Sequence, residues 1–326
     1  MAKSLIITGA RGYIGSALVQ RLTREGRALR LVSRTDFATK ADASTKIEHV
    51  VADLRDDNSW YALLDDADGV VHLASRTDLR AAEADPAGDR ELTIEPVQAL
   101  IRAAQRRGQS IPVVFASTVT IVGDVHANPV NEKTPDHPLS VYDRHKLENE
   151  TILREATRRG IVSACTLRLS NIYGFGAGAR SANSNRGILN EVMRRSALGE
   201  GLTIYGRGDY VRDFTHVGDV VDAFCRALAA APVRDGSHYV IATGKGTTLA
   251  QAFAMAAREA ERMTGRPVEI RHVAEPPHLH PIERRNFIGD SSLFRTIAGW
   301  HPQIDLAAGI RDYLERATAP AQLERN

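Results

Sequence analysis

Cysteine is nearly missing from this chain of 326 residues: Cys165 and Cys225 are the whole complement, and each stands alone in an apolar stretch. No metal-ligand or redox spacing can be drawn from them, so both read as small hydrophobes of the interior. An excess of charge is missing too. With 42 basic and 40 acidic residues the formal charge is +2, too weak a field to make nucleic acid or an anionic membrane the main partner. No apolar run approaches the ~18 residues of a membrane span. The chain enters "KSLIITGARG" directly, without the charged, apolar and cleavable segments of a secretory leader, and a cytoplasmic protein is expected. Repeats and low-complexity blocks are absent, apart from a polar tail over 319–326 that is expected to be loosely held.

What is present is an alternation. Residues 5–8, 29–33, 49–52, 69–74 and 113–117 are short apolar runs suited to buried strands. Between them, 14–24, 60–64 and 95–107 carry apolar residues at helical period. Two parallel strands need a crossover of helix length between them, so the pattern predicts an α/β fold, a Rossmann-type doubly wound parallel sheet. A helix over 141–159 ends at Gly160, strand-like "CTLRLSNIYG" follows, and "GFGAGARSANSNRG" reads as a binding loop. Helices over 188–198, 217–230 and 249–264, with the segment "FRTIAGWHP", predict a smaller α/β C-terminal lobe for the substrate. The expected division places 1–170 with about 208–241 in the nucleotide-binding domain, and about 171–207 with 242–318 in that lobe.

Gly9, Gly12 and Gly15 in "TGARGYIG" fall between the first strand and the first helix. Such positions permit a tight turn and close approach of the backbone to a pyrophosphate, which the free N–H groups and positive dipole of the helix start would hold. In "LRLVSRTD" the second strand ends at Ser33, followed by Arg34, where an acid would grip a ribose hydroxyl. Arg34, with Arg11 from the glycine turn, favours a 2′-phosphate and therefore NADP(H). The competing reading leaves both arginines in solvent, and Asp36 stands close enough to weigh against them.

"SVYDRHK" sets Tyr142 and Lys146 four residues apart on one face of a helix. A phenol titrates near 10, and a neighbouring ammonium together with an oxidised nicotinamide would bring it into range for acid–base work. Upstream, "FASTVTIVGD" ends a strand in Ser117 and Thr118. His145, inside the motif, reads as a solvated helix residue. His272, His278, His280 and His301 lack a coherent ligand spacing, and no metal is expected.

The GxxGxxG spacing, the strand-end Thr118 and the YxxxK motif together resemble the extended short-chain dehydrogenase/reductase superfamily. "LRLSNIYG", "GEGLTIYGRGDYVRDFTHVGDVVDAF", "YVIATGKGTT" and "AGWHP" extend the resemblance to its nucleotide-sugar epimerase, dehydratase and ketoreductase branch, over roughly residues 4–315. The resemblance implies that Asp53 and Leu54 contact the adenine, although Asp53 could instead cap a turn. It adds Tyr13, Ile14, Leu73, Ala74, Ser75, Ser117, Leu169 and Ile172 to the cofactor site, with Lys146 on the nicotinamide ribose. Thr118 would bond the reacting oxygen beside Tyr142. Ser75, Arg76 and Thr118 would face the sugar, Asn171 and Arg212 the diphosphate, and Glu283 the nucleotide ribose. Arg212 could alternatively be a core partner of Asp213 or Asp219, and either Arg284 or Arg285 would replace an arginine missing at His280.

Val119 and Thr120 follow Thr118 where branch dehydratases carry an acidic pair, which argues against dehydration. Ser33 and Arg34 tilt the expectation to NADPH-dependent reduction of a nucleotide-linked 4-keto-6-deoxyhexose. "FASTVT", "YDRHKLENETILREATRRG" and "RRNFIGDSSLFRTIAGWHP" resemble the dTDP-sugar 4-ketoreductases. The alternative is an NAD-dependent nucleotide-sugar 4-epimerase. By analogy with the superfamily, a homodimer is expected through the helix from Glu95 and the Tyr142 helix.

Overall fold

The computed structural model describes residues 3–37, 45–124, 129–176, 187–277 and 279–319. Most of the expected tail, most of the glycine-rich loop after Gly174, and His278 lie outside the described residues. The strands are β1 (Ser4–Thr8), β2 (Leu29–Ser33), β3 (Ile47–Val51), β4 (Ala67–His72), β5 (Ile111–Thr118), β6 (Val162–Leu169), β7 (Asn171–Tyr173), β8 (Leu202–Tyr205), β9 (Val211–His216), β10 (His238–Ile241), β11 (Gly246–Thr248) and β12 (Ile270–Val273). The helices are α1 (Tyr13–Arg24), α2 (Asp57–Leu63), α3 (Leu79–Ala84), α4 (Pro86–Thr93), α5 (Glu95–Arg107), α6 (Val141–Arg158), α7 (Ile188–Ala197), α8 (Val217–Ala229), α9 (Leu249–Thr264), α10 (Ser292–Ala298) and α11 (Leu306–Thr318).

Seven strands form one parallel sheet in the order β10-β6-β5-β4-β1-β2-β3. Side chains alternate across it. Leu5 and Ile7 of β1 pack into the layer holding Leu18, Leu22, Phe224 and Trp300, while Ile6 packs into the opposite layer with Trp60, Leu100 and Phe115. Apolar burial on both faces is what makes these strands read as continuous hydrophobic runs. A third apolar cluster, with Tyr173, Met193, Phe214, Phe253 and Ile310, holds α7, α9 and α11 together beyond the sheet. Cys165 is buried, and Cys225 is only partly so.

The strand order reverses between β1 and β4, which leaves a crevice at the carboxyl ends of those two strands. Thr8 and His72 pair there. The Thr8 hydroxyl lies 2.9 Å from His72 Nδ1 and accepts the Leu73 and Ala74 N–H groups, each at 3.1 Å. Both loops that leave the crevice therefore start from one anchored point.

Three helices, α3, α4 and α11, escape the sequence reading. α3 and α4 are only six and eight residues long, and their starts depend on Asp78 accepting from Ala81 N and Asp85 accepting from Gly88 N. Helical periodicity over so few residues is a weak signal; capping carries these elements.

Candidate active site

At the start of α1, Gly9 has φ +67°, and a Cβ there would lie 2.8 Å from the Ala74 nitrogen. A Cβ on Gly15 would overlap the Gly9 carbonyl oxygen. Backbone therefore meets backbone where any larger residue would hold it apart. Gly12 is the N-cap, no side chain caps the helix, and its first turn has no acid. The positive end of α1 stays open to an anion.

A cavity of about 1070 Å³ begins at this turn, with Arg11, Tyr13 and Ile14 in its wall. Leu73, Ala74, Ser75 and Arg76 form the facing wall, and Leu169 and Ile172 come in from the ends of β6 and β7. A cradle that a Cβ would close, under an uncapped helix start, fits a dinucleotide pyrophosphate. The Tyr13 hydroxyl donates to the Gly174 carbonyl at 2.7 Å, tying the turn to the segment after β7. Ser33, Arg34, Asp53 and Leu54 lie outside the walls of this cavity.

Arg11 and Arg34 are both exposed. Arg11 donates to the Thr35 hydroxyl at 2.9 Å and sits over the Phe37 ring, and the Ser33 hydroxyl donates to the Thr35 carbonyl. Asp53 is gripped by Arg55, with Nη2 at 2.6 Å and the backbone N–H at 3.0 Å, and this pairing pushes its carboxyl down to about 2. Asp53 thus caps the turn that enters α2, its carboxylate taking the Arg55 N–H, and Asp56 caps the helix itself.

The catalytic candidates meet at the far end of the same cavity, where Ser117, Thr118, Tyr142 and Lys146 all line the wall. Lys146 is 3% exposed and donates to the Ala116 carbonyl at 2.9 Å. Burial pushes it down to about 8, against the pull of Asp89 and Glu150. The Tyr142 phenol moves the other way. Burial raises it, and the Asp143 and Asp89 carboxylates raise it further. The ammonium expected to draw this phenol down together with an oxidised nicotinamide is engaged by the Ala116 carbonyl and lies 5.7 Å from the Tyr142 ring centre.

The Ser117 hydroxyl donates to Glu150 in a buried network with Arg168 and Asp136. Thr118 faces a different chain. Its oxygen lies 2.8 Å from the Thr120 hydroxyl, which donates in turn to the carboxylate of the wholly buried Asp143. The other Asp143 oxygen accepts from Ser140 at 2.7 Å. His145 is not solvated: its Nδ1 lies 2.6 Å from the buried Asp89, and Arg76 reaches within 3.9 Å of that carboxylate. Asp89 and Asp143 escaped the sequence reading because nothing local marks an acid as buried.

A smaller adjoining cavity of about 210 Å³ shares Thr118, Tyr142, Asn171 and Arg285 with the first, and it adds Arg212 and Glu283. Arg212 is no partner of Asp213 or Asp219. It donates to the carbonyls of Glu283 (2.6 Å), Arg285 and Val211. Asp213 instead accepts the Thr243, Gly244 and Gly289 N–H groups, and Asp219 those of Gln303 and Ile304. Burial, then the charge of Arg285, pushes Arg212 down to about 10. Arg285 is 8% exposed, its Nη1 donates to the Ile282 carbonyl, and its Nε is buried without a partner. Arg284 lies outside, paired with Glu275 at 3.2 Å. Asn171 likewise has a buried Oδ1 with no partner. Two buried guanidiniums without a carboxylate partner stand at this end, which suits it to an anion. His272 and His280 bond the Gly206 carbonyl and the Ile282 N–H, and no potential metal cluster exists among the described residues.

An uncapped glycine turn and a Thr-Tyr-Lys group on one cavity, at the switch point of a doubly wound sheet, define a dinucleotide-dependent oxidoreductase site. The NAD dependent epimerase/dehydratase family model matches residues 5–242, and the chain belongs to that family. It is 28% identical to the UDP-glucose 4-epimerase of Mycolicibacterium smegmatis, over 95% of this chain and 97% of that one. The crystal structure of a Thermotoga maritima UDP-glucose 4-epimerase with UDP-glucose superposes with TM-score 0.82 at 25% identity, covering 96% of this chain and 97% of that one. A Stenotrophomonas maltophila UDP-glucose-4-epimerase with bound NAD and formylated UDP-arabinopyranose gives 0.82 at 25% identity, covering 98% and 99%.

Proposed function

We propose that the chain inverts C4 of a nucleoside-diphosphate hexose by oxidation and return reduction, the redox-neutral 4-epimerase reaction. One observation carries it: two adjoining cavities with shared walls lead from the glycine turn past Thr118, Tyr142 and Lys146 to two buried guanidiniums that have no carboxylate partner. That layout matches a dinucleotide at one end and a diphosphate-linked sugar at the other, and the whole-length likeness to 4-epimerases supports it.

An NAD-type dinucleotide, held by Gly9, Gly12 and Gly15 with Lys146 on its ribose, supplies the hydride acceptor and donor. Tyr142 exchanges the proton of the C4 oxygen, and Thr118 orients that oxygen. Because the phenol is raised in the protein alone, Tyr142 keeps its proton until a further positive charge stands beside it. Arg212, Arg285 and Asn171 take the diphosphate, and Glu283 takes the nucleotide ribose. Ser75 and Arg76 face the sugar. Val119 and Thr120 offer no carboxylate, which argues against dehydration. Pairing of two chains through α5 and α6 belongs to the same proposal.

A second reading, NADPH-dependent reduction of a dTDP-4-keto-6-deoxyhexose, has one observation in its favour. β2 ends at Ser33 without an acid, and two exposed arginines, Arg11 and Arg34, stand at that end. One comparison decides between them. The purified protein is assayed for UDP-glucose to UDP-galactose conversion with no added cofactor, and its bound dinucleotide is weighed by mass spectrometry. Conversion with firmly held NAD is expected. An empty site with NADPH consumed against dTDP-4-keto-6-deoxyglucose would transfer the protein to the reductases. Under either reading Tyr142→Phe should lower kcat by about 10²–10⁴-fold and leave the dinucleotide bound.

A further inference from the structure

We propose that Thr120 and Asp143 are a positioning pair that sets the direction of the Thr118 hydroxyl. While Tyr142 keeps its proton, Thr118 then accepts a hydrogen bond from the C4 hydroxyl of the sugar, and it turns to donate to the C4 oxygen once that hydroxyl hydrogen passes to Tyr142 and the ketone forms. The inference rests on the C4 chemistry proposed above and adds two residues to it.

Asp143 is 0% exposed and accepts from Ser140 at 2.7 Å and from the Thr120 hydroxyl. The only hydrogen of the Thr120 hydroxyl is therefore committed to Asp143. Yet the Thr120 and Thr118 oxygens are 2.8 Å apart. The hydrogen between them must then belong to Thr118. The Thr120 N–H, at 3.2 Å, occupies one acceptor position on Thr118. A second lone pair remains, and Thr118 lines both cavities.

In this state Thr118 presents an acceptor. A C4 hydroxyl can meet it with its hydrogen; a C4 ketone has none to offer. When the alcohol becomes a ketone, the Thr118 hydrogen has to rotate from Thr120 to the carbonyl oxygen, and it rotates back on reduction. No proton changes owner in that rotation. Termination on a carboxylate polarises the chain, because Thr120 accepts more strongly from Thr118 when it donates to Asp143. Ser117 cannot take the part, since its hydroxyl is held by Glu150 at 2.5 Å. The pair thus biases the site toward alcohol over ketone.

Thr120→Val keeps the shape and removes the hydroxyl, freeing the Thr118 hydrogen for the ketone. Calorimetry measures UDP-6-deoxyglucose binding to protein loaded with NADH, and UDP-4-keto-6-deoxyglucose binding to protein loaded with NAD, so that neither complex turns over. Relative to wild type, Thr120→Val should move the ratio of the two dissociation constants toward the ketone by roughly three- to tenfold, the worth of one hydrogen bond. Thr120→Ser should restore the ratio, and Asp143→Asn should shift it in the same direction as valine. A ratio unchanged in Thr120→Val, or both ligands weakened equally, would overturn the inference while leaving the C4 reading intact. Wild-type protein that binds neither ligand would overturn the C4 reading itself.

Discussion

The two ends of the cavity are built by different means. At the glycine turn the groups that would meet a ligand are backbone N–H donors, exposed because Gly9, Gly12 and Gly15 carry no side chains. At the other end they are side chains. Arg212 comes from β9, Arg285 from beyond the short turn Pro281–Arg284, and Asn171 from β7. The first end follows from seven consecutive residues; the second exists only when distant segments converge. A backbone site tolerates almost no added atom, whereas a side-chain site can be weakened one group at a time.

That contrast can be broken at either end. Gly15→Ala should have the largest effect, because its Cβ would overlap the Gly9 carbonyl and neither backbone can give way cheaply. Overpacking of this kind costs roughly 1–3 kcal/mol, and fluorescence titration should find dinucleotide affinity reduced about ten- to hundredfold or abolished. Binding equal to wild type would mean that the turn does not set the site. Arg212→Lys at the opposite end should weaken nucleotide-sugar binding by roughly 1.5–3 kcal/mol and leave dinucleotide affinity alone, because an ammonium cannot reproduce the planar fork. Equal loss of both ligands would show the two ends to be coupled.

The smallest expected effect is on stability against pH. Each end rests on a buried imidazole. His72, behind the glycine turn, is pushed by burial down to about 3, and His216, behind β7, to about 4, both from 6.5. Between those values and 6.5 the unfolded chain binds more protons than the folded one, so stability is lost as pH falls. The loss is roughly 1 kcal/mol per pH unit for each group. Thermal melts between pH 7 and 5 should show a falling midpoint, and His72→Asn should flatten it in part. A midpoint constant over that range would mean that neither imidazole is held neutral.

Much of the fold was legible. The strand over 29–33 and the helix over 249–264 coincide with β2 and α9, since apolar spacing in a two-faced sheet or a packed helix is imposed by neighbours in the chain. α3 and α4 were illegible, being short and carried by their caps. In the site, "TGARGYIG" and "SVYDRHK" announced their positions because a strand end, a helix start and one helix face are local objects. Arg284 and Arg285 could not be separated, as adjacent residues differ only in which way the chain turns them. His145 looked solvated because Asp89, its partner, is 56 positions away.

The sequence alone determined the doubly wound sheet, the glycine turn and the shared face of Tyr142 and Lys146, all of which depend on residues within a few turns of one another. Tertiary structure alone decided that Arg285 enters the cavity, that Asp143 closes a hydroxyl chain from Thr118, and that burial and the Asp143 and Asp89 carboxylates raise the Tyr142 phenol in the protein alone. Each of these depends on burial and on charges brought from afar. Dehydration and Coulomb fields act through space, and order along a chain does not record distance in space.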